Sequence, residues 1–419
     1  MYTYTSLNPV SSYNYLETPI IIYLKITNSC CFHCGFCSAG EAKFEHMDFS
    51  FITRIFSAFK NYGVERIFYT GGEPLMHPDI IKILQLGRET GFQQALLTNG
   101  FLLTENNINQ VLKNIDSIGI SLHGNPSLHD NLVGVQGASS KVLSVLDMIH
   151  KKYPLINIGI NCTLTEQNSN FDEIKYLAEI AKQYNGILNV SRLNYAGKAK
   201  TNFKIKAINN VAQIIQKLKM NNFKVDFGNC VSPCLLDSNF SHLGHGCSAG
   251  ITTACIDING DLKICPSASV SLGNLKEKSL RDLWNTRQMV NFRSFSWIPP
   301  QCSSCNFFQK CKSGCRVEVK NSFSKKIGDT LVCDKFAQVW DKMRSKKYVF
   351  SGDFIRKDFN LYTIIAPHII RLCNKNTLLL IKKLTGEKTC EEIIKTEKNS
   401  EECKNLLIAL KIDMLLKEK

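Results

Sequence analysis

Several things are missing from this 419-residue chain, and each absence removes a class of protein. No apolar run reaches the roughly 18 residues that a membrane-spanning helix requires. Residues 1–16 are polar and aromatic, with neither a basic start nor an apolar stretch, so no export signal is expected. Nowhere are Lys and Arg packed into a compact block interleaved with aromatics, which argues against a nucleic-acid partner. Internal repeats and low-complexity tracts are absent too. With 44% hydrophobic and 21% charged residues the chain can bury a real core, which excludes a disordered or collagen-like protein. The expected setting is cytoplasmic, with no membrane partner.

Charge says less. Lys and Arg (51) exceed Asp and Glu (36), for a net charge of +15. A basic surface suits nucleic acid, an acidic peptide or neither. Lys far outnumbers Arg and Asn is abundant, which also fits an AT-rich coding sequence.

Cysteine is what the chain has in excess, 18 in all. Without an export signal these are not expected to form disulfides, which leaves metal ligation or scattered core thiols. Spacing separates the two. Cys162, Cys373, Cys390 and Cys403 stand alone. The others form three groups: Cys30, Cys31, Cys34 and Cys37; Cys230, Cys234, Cys247, Cys255 and Cys265; and Cys302, Cys305, Cys311, Cys315 and Cys333.

Residues 19–223 alternate β-branched runs with amphipathic stretches. Residues 19–27 read as a buried strand, and residues 51–62 as a helix burying Ile52, Ile55, Phe56 and Phe59 on one face. Five similar pairs follow, giving six βα units. That predicts an α/β fold with a parallel sheet, either a partial (β/α)6 barrel or an open doubly wound sheet. In both, chemistry belongs at the C-terminal ends of the strands. Residues 224–345 are rich in loops and Cys and look too poor in apolar periodicity for a core of their own. In residues 346–419 a hairpin over 354–360 and 361–372, turning at Pro367 and His368, precedes three short helices (377–384, 389–395 and 401–410), with Gly386 as a helix cap. The expected domains are therefore a segment 1–18, a barrel 19–223, a Cys-rich domain 224–345 and a small α+β domain 346–419.

The first cysteine group lies in the loop after the first strand, Asn28-Ser-Cys-Cys-Phe-His-Cys-Gly-Phe-Cys37. Cys30, Cys34 and Cys37 have the spacing C-x3-C-x2-C. Three thiolates on one short loop can hold three irons of a [4Fe–4S] cube and leave the fourth open. A tetrahedral zinc, with Cys31 or His33 as fourth ligand, is compatible with the same residues. The loop resembles the cluster signature of radical S-adenosylmethionine (SAM) enzymes, with Phe36 just before the last Cys. Further resemblance lies in Thr70-Gly71-Gly72-Glu73-Pro74, in Thr98-Asn99-Gly100, in Ser121-Leu-His-Gly124 and in the segment ending Arg192-Leu-Asn-Tyr-Ala-Gly197, each after an expected strand. This resemblance implies that SAM chelates the open iron and is cleaved by the reduced cluster to a 5′-deoxyadenosyl radical. It also implies that Phe36, Gly71, Gly72, Glu73, Asn99 and Ser121 line the SAM site, with Glu73 offering a carboxylate to the amino group. Two positions depart from the usual pattern: His123, where many relatives carry Asp, and Val133, where many carry Arg.

The later cysteines, Cys247-x12-Gly260-x4-Cys265 and then Cys302-x2-Cys305-x5-Cys311-x3-Cys315-x17-Cys333, resemble a seven-cysteine SPASM domain along its full length. That resemblance implies two auxiliary [4Fe–4S] clusters. One would be held by Cys302, Cys305, Cys311 and Cys333, and the other by Cys247, Cys265 and Cys315 with Cys234 or Cys230, or with an open iron. Pro266 stands where sulfatase maturases carry Asp. Residues 354–419 resemble a PqqD-like recognition element, which binds the leader of a ribosomally made precursor peptide as an added strand; the stretch 361–372 would supply the edge. Together these imply a peptide-modifying maturase that forms a thioether or carbon–carbon cross-link, with epimerisation as another outcome, fed by a flavodoxin or ferredoxin. A radical SAM enzyme acting on a small molecule or tetrapyrrole is the alternative. No residue stands out as the proton donor or acceptor of the final step.

Overall fold

The computed structural model describes residues 4–6 as a short strand, and residues 16–419 apart from 195, 200–204, 296, 299–301, 303–304, 306, 316, 318–329, 351–352, 359–360, 367–368, 398–399, 413–415 and 419. Backbone alone is given for the strand 4–6 and for several later elements, including residues 353–378. The strand Tyr4–Ser6 is β1, and numbering continues along the chain. Two compact units form: Asn14–Val231 with Cys247–Arg293, and Met1–Tyr13 with Ser232–Gly246 and Ser294–Lys419.

The first unit is an α/β sheet layered with helices. Seven parallel strands follow one another in space as they do in sequence: β2 (Ile21–Thr27), β3 (Arg66–Gly71), β4 (Gln93–Thr98), β5 (Ser117–Ser121), β6 (Asn157–Thr163), β7 (Ile187–Ser191) and β8 (Val225–Phe227). That order decides between the two expected architectures. A doubly wound sheet reverses direction at a switch point, whereas an unbroken sequential order is that of a barrel. The partial barrel is confirmed.

Burial explains the strand pattern. On β2, Ile22, Leu24 and Ile26 are fully buried, while the intervening Tyr23 and Lys25 are only half-buried. Helix α1 (Phe49–Asn61) starts where the Asp48 carboxylate accepts from the Phe51 amide at 3.1 Å, and it buries Phe51, Ile52, Ile55, Phe56 and Phe59, including the predicted face. Each such side chain contributes about 1.5–3 kcal/mol of burial energy.

The sheet runs further than the periodicity suggests. Besides the short β8, β9 (Thr253–Ile256) pairs in parallel with the free side of β2, Ile21 opposite Thr253. Next to it lies β10 (Leu262–Lys263), antiparallel, around the Asn259–Gly260 turn. The Cys-rich stretch is divided, with Cys247–Arg293 joining the barrel unit. Helices Leu280–Trp284 and Arg287–Arg293 bury Leu280, Leu283, Trp284, Met289 and Phe292. At five and seven residues they are too short to register as a helical period.

In the second unit, β11 (Lys347–Phe350) pairs with β15 (Thr385–Thr389) and β16 (Leu416–Glu418). Strands β12 (Asp353–Asp358), β13 (Leu361–Ala366) and β14 (Ile369–Asn374) form an antiparallel meander. The stretch 361–372 is thus not one strand but spans β13 and most of β14, and β13 is interior; the turn at 367–368 lies outside the described residues. The outer side of β14 carries β1 in parallel, Tyr4 opposite Ile370 and Ser6 opposite Leu372. Helices Lys375–Lys382, Cys390–Lys395 and Ser400–Ile412 follow, close to the three expected. Gly386 is not a helix cap. It sits at φ +79° in β15, where the pairing with β11 slips register, as a bulge glycine does.

Candidate active site

The cysteine loop is tied to the C-terminal ends of β2 and β3. The Gly72 amide donates to the Thr27 carbonyl at 2.8 Å and the Glu73 amide to the Ser29 carbonyl at 2.7 Å. Approach this close needs glycine. A Cβ on Gly71 would stand 2.1 Å from the Thr27 carbonyl oxygen, and one on Gly72 2.2 Å from that of Ser29. From there Phe32 turns inward against Val133 and Ala138, with Cys30, Cys31 and Cys34 packed on the same cluster. Val133 is fully buried, and its carbonyl accepts from the His33 amide at 2.9 Å, so at this position the chain supports the loop by apolar contact.

Cys30, Cys34 and Cys37 line one cavity of about 380 Å³, together with Glu73, Ser121 and His123. That volume is in the range of small-molecule sites. Burial pushes the Cys30 thiol up to about 11, and burial with the neighbouring Cys37 and Cys30 pushes Cys34 up to about 12. Such thiols ionise only if something cationic meets them. Three soft thiolates therefore suit an iron–sulfur cluster, which would be held by Cys30, Cys34 and Cys37. Cys31, the remaining thiol of the loop, accepts from Asn99 Nδ2 at 3.4 Å.

Of the residues expected at the SAM site, Phe36, Gly72, Glu73, Asn99 and Ser121 line the same cavity, and Gly71 does not. Glu73 is 1% exposed, with Oε1 accepting from Thr98 Oγ1 (2.7 Å) and the Leu75 amide (3.0 Å), and Oε2 from the Asn99 amide (2.7 Å). Desolvation still outweighs these donors and raises its carboxyl to about 7. A carboxylate offers about four lone-pair sites, so one remains for a ligand N–H. Asn99 keeps its side chain locally, Oδ1 accepting from the Phe101 amide. Ser121 ends β5 at the cavity wall, and Phe36 stands edge-on to His123 with ring centroids 4.9 Å apart.

The remaining cysteines divide between the units. Cys230, Cys247, Cys255 and Cys265 belong to the barrel unit, where Cys255 is fully buried in β9. Tyr23 on β2 has its hydroxyl raised by burial and then by Cys265, Cys247 and Cys255, which puts Cys247 and Cys265 in its neighbourhood. In the second unit, Cys234 lies in the short helix Pro233–Leu235, and Cys302, Cys311 and Cys315 are buried, with Cys305 half-buried. Ser313 Oγ donates to Cys302 Sγ at 3.5 Å. Between Cys311 and Cys315 the backbone winds left-handed through Lys312, Ser313 and Gly314 (φ +55°, +68° and +81°). Non-glycine residues adopt this conformation only at a cost. The side chain of Cys333 lies outside the described residues.

Residues 24–184 match the radical SAM superfamily, and residues 247–306 match the SPASM iron–sulfur cluster-binding domain. The chain carries a radical SAM domain followed by a SPASM domain. It is accordingly an enzyme that binds SAM and iron–sulfur clusters. Over 334 residues this radical SAM protein is 22% identical to the AdoMet-dependent heme synthase of Methanosarcina barkeri, covering 72% of the chain and 92% of that protein. Against the PqqA peptide cyclase of Ruegeria pomeroyi it is 24% identical over 326 residues, 72% of the chain and 84% of the cyclase. The fold resembles SuiB of Streptococcus suis bound to its precursor peptide SuiA, with TM-score 0.62, 20% identity, and coverage of 75% and 76%.

Sequence reasoning missed Asn229, the partner of Arg192 at this site. Arg192 is buried at the cavity wall, its amide donating to Asn229 Oδ1 (2.9 Å) while Asn229 Nδ2 donates to the Arg192 carbonyl (2.8 Å). Asn229 precedes Cys230 in a loop, where no motif signals it. Also unforeseen is the largely buried ion pair of Lys263 with Asp257, whose carboxyl is held low by Lys263 and Lys25 against the opposing effect of burial. Among the described residues no single helix is long and apolar enough to cross a membrane.

Proposed function

We propose that this radical SAM/SPASM enzyme modifies a ribosomally made precursor peptide, with an oxidative thioether or carbon–carbon cross-link as the expected product and epimerisation as a variant outcome. The observation that carries this reading is the tail, where the meander β12–β14 is followed by three helices, the order expected of a leader-binding element. The peptide cyclase and the SuiB–SuiA complex among its relatives support it. When bound, the cluster and SAM supply a radical able to abstract a substrate hydrogen. The chain's own residues hold the thiolates, seal the floor of the site through Phe32 and Val133, and present Glu73 and Ser121 to the ligand. Auxiliary clusters on the SPASM cysteines would accept the electron that oxidation of the substrate releases, and a flavodoxin or ferredoxin would supply the reducing equivalents. The leader would add as a strand on the meander, either along β12 or along β14 in place of β1.

A second reading, action on a small molecule or tetrapyrrole, is favoured by the heme synthase relative. One experiment separates the two. The reconstituted chain is incubated without oxygen with any short peptide encoded beside its gene, SAM and a reductant, and the intact peptide is weighed. Loss of two hydrogens, dependent on Cys30, supports a cross-linking maturase. Unchanged mass with deuterium gained from heavy water indicates epimerisation. SAM cleavage with an untouched peptide refutes the peptide reading and leaves the second one.

A further inference from the structure

His123 is held from several sides at the wall of the cavity. Its ring is 5% exposed, edge-on to Phe36 and stacked on His129 at 5.5 Å. The backbone is pinned as well, its amide donating to His129 Nδ1 (3.1 Å) and its carbonyl accepting from Asn168 Nδ2 (2.8 Å). The decisive contact is at the ring, where the Thr163 amide donates to Nδ1 at 3.2 Å. A nitrogen that accepts a hydrogen bond carries no proton. A protonated ring would set N–H against N–H, so His123 is neutral and its one proton is on Nε2. Burial acts in the same direction, holding its pKa down at about 3. Among the described residues Nε2–H has no hydrogen-bond partner, and it is not one of their sealed, unpartnered polar atoms, so this donor faces the cavity that Cys30, Cys34 and Ser121 also line.

We propose that His123 is a positioning residue for SAM, its Nε2–H donating to an oxygen of the bound molecule, either a ribose hydroxyl or the methionyl carboxylate. The inference rests on the SAM site and is independent of what the enzyme modifies. An aspartate here could only accept; this histidine, with Nδ1 engaged, can only donate. The polarity of recognition at this point of the pocket is therefore reversed relative to an acidic residue.

The test uses the cluster-loaded full chain without reductant, so that SAM binds but does not turn over, and reads affinity by equilibrium dialysis. The two nitrogens are separable by isosteres: Gln carries an N–H near the position of Nε2, whereas Asn mimics only Nδ1. His123→Asn is expected to bind SAM about tenfold more weakly, and His123→Gln within about threefold of the parent, as befits one neutral hydrogen bond. If Asn restores binding and Gln does not, the ring serves only to accept from Thr163 and the proposal is wrong. It is equally wrong if both variants bind as the parent does, or both lose affinity alike. Should the Gln variant fail to fold, SAM analogues lacking the 2′-hydroxyl or the carboxylate decide between parent and His123→Asn. One analogue should weaken the parent about tenfold and the Asn variant no further, which also identifies the oxygen. Equal losses in both proteins overturn the idea.

Discussion

Glu73 is the group whose titration this structure most sharply constrains. It is buried against three donors, and desolvation nevertheless lifts its carboxyl to about 7. Only the ionised form presents a full acceptor to the SAM amino group. Above that pKa the carboxylate is charged and the contact is made; below it the carboxyl is protonated and the contact weakens. Replacing Glu73 by Gln removes this titration while keeping the size. From the ionised fraction of a group titrating near 7, the advantage of the parent over Glu73→Gln in SAM affinity should shrink about tenfold between pH 8 and pH 6. A ratio of two proteins cancels any protons that SAM itself takes up. The assay is equilibrium dialysis on the cluster-loaded chain, with cluster content checked by absorbance at each pH. A ratio that stays constant across this range would refute the reasoning. The same shift has a consequence for folding. Because the folded carboxyl binds its proton more tightly than the unfolded one, ionising Glu73 costs the ligand-free fold about 3 kcal/mol as pH rises from the ordinary carboxylate value through 7.

Other outcomes follow from particular contacts. Gly72→Ala should abolish SAM binding with little change in far-ultraviolet circular dichroism, because its Cβ would push the Ser29 carbonyl, and with it the cysteine loop, out of place. Phe59→Ala, fully buried on α1, should destabilise the chain by about 3–5 kcal/mol in urea titration, with its activity per folded molecule unchanged. Lys312→Gly should be neutral or stabilising by up to about 1 kcal/mol, since it relieves a left-handed non-glycine residue. Deleting residues 1–13 should strengthen binding of a cognate leader if that strand uses the β14 edge, and leave it unchanged if it uses β12; fluorescence anisotropy with labelled leader reads the difference.

Much of the barrel could be read from the chain because its signals are local. The alternation of β-branched runs with amphipathic stretches marked six of the seven strands, and the cysteine loop, the Gly71–Glu73 segment and Ser121 came at strand ends where the fold does put them. What escaped was short or remote. Strand β8 has three residues and β10 has two, below the length at which a period can be counted. Pairing of β9 with β2 joins segments more than two hundred residues apart, and no local pattern encodes that. The turn at Asn259–Gly260 was a hairpin signal that the surrounding cysteines concealed. His123 was noticed as a departure, but its tautomer depends on the Thr163 amide, a partner forty positions away.

The strand that leads into the cysteine loop has a neighbour on each side. β3 follows it closely in sequence, but β9 is made only after most of the barrel has left the ribosome. Synthesis at about 5–20 residues per second leaves the outer edge of β2 bare for many seconds. During that interval its unpaired amides and carbonyls are open to other chains. Completion of the SAM pocket is thus timed by the arrival of the region that carries Cys247 and Cys265. A barrel cut off before Thr253 would keep its cysteine loop but leave permanently open the seam beside it.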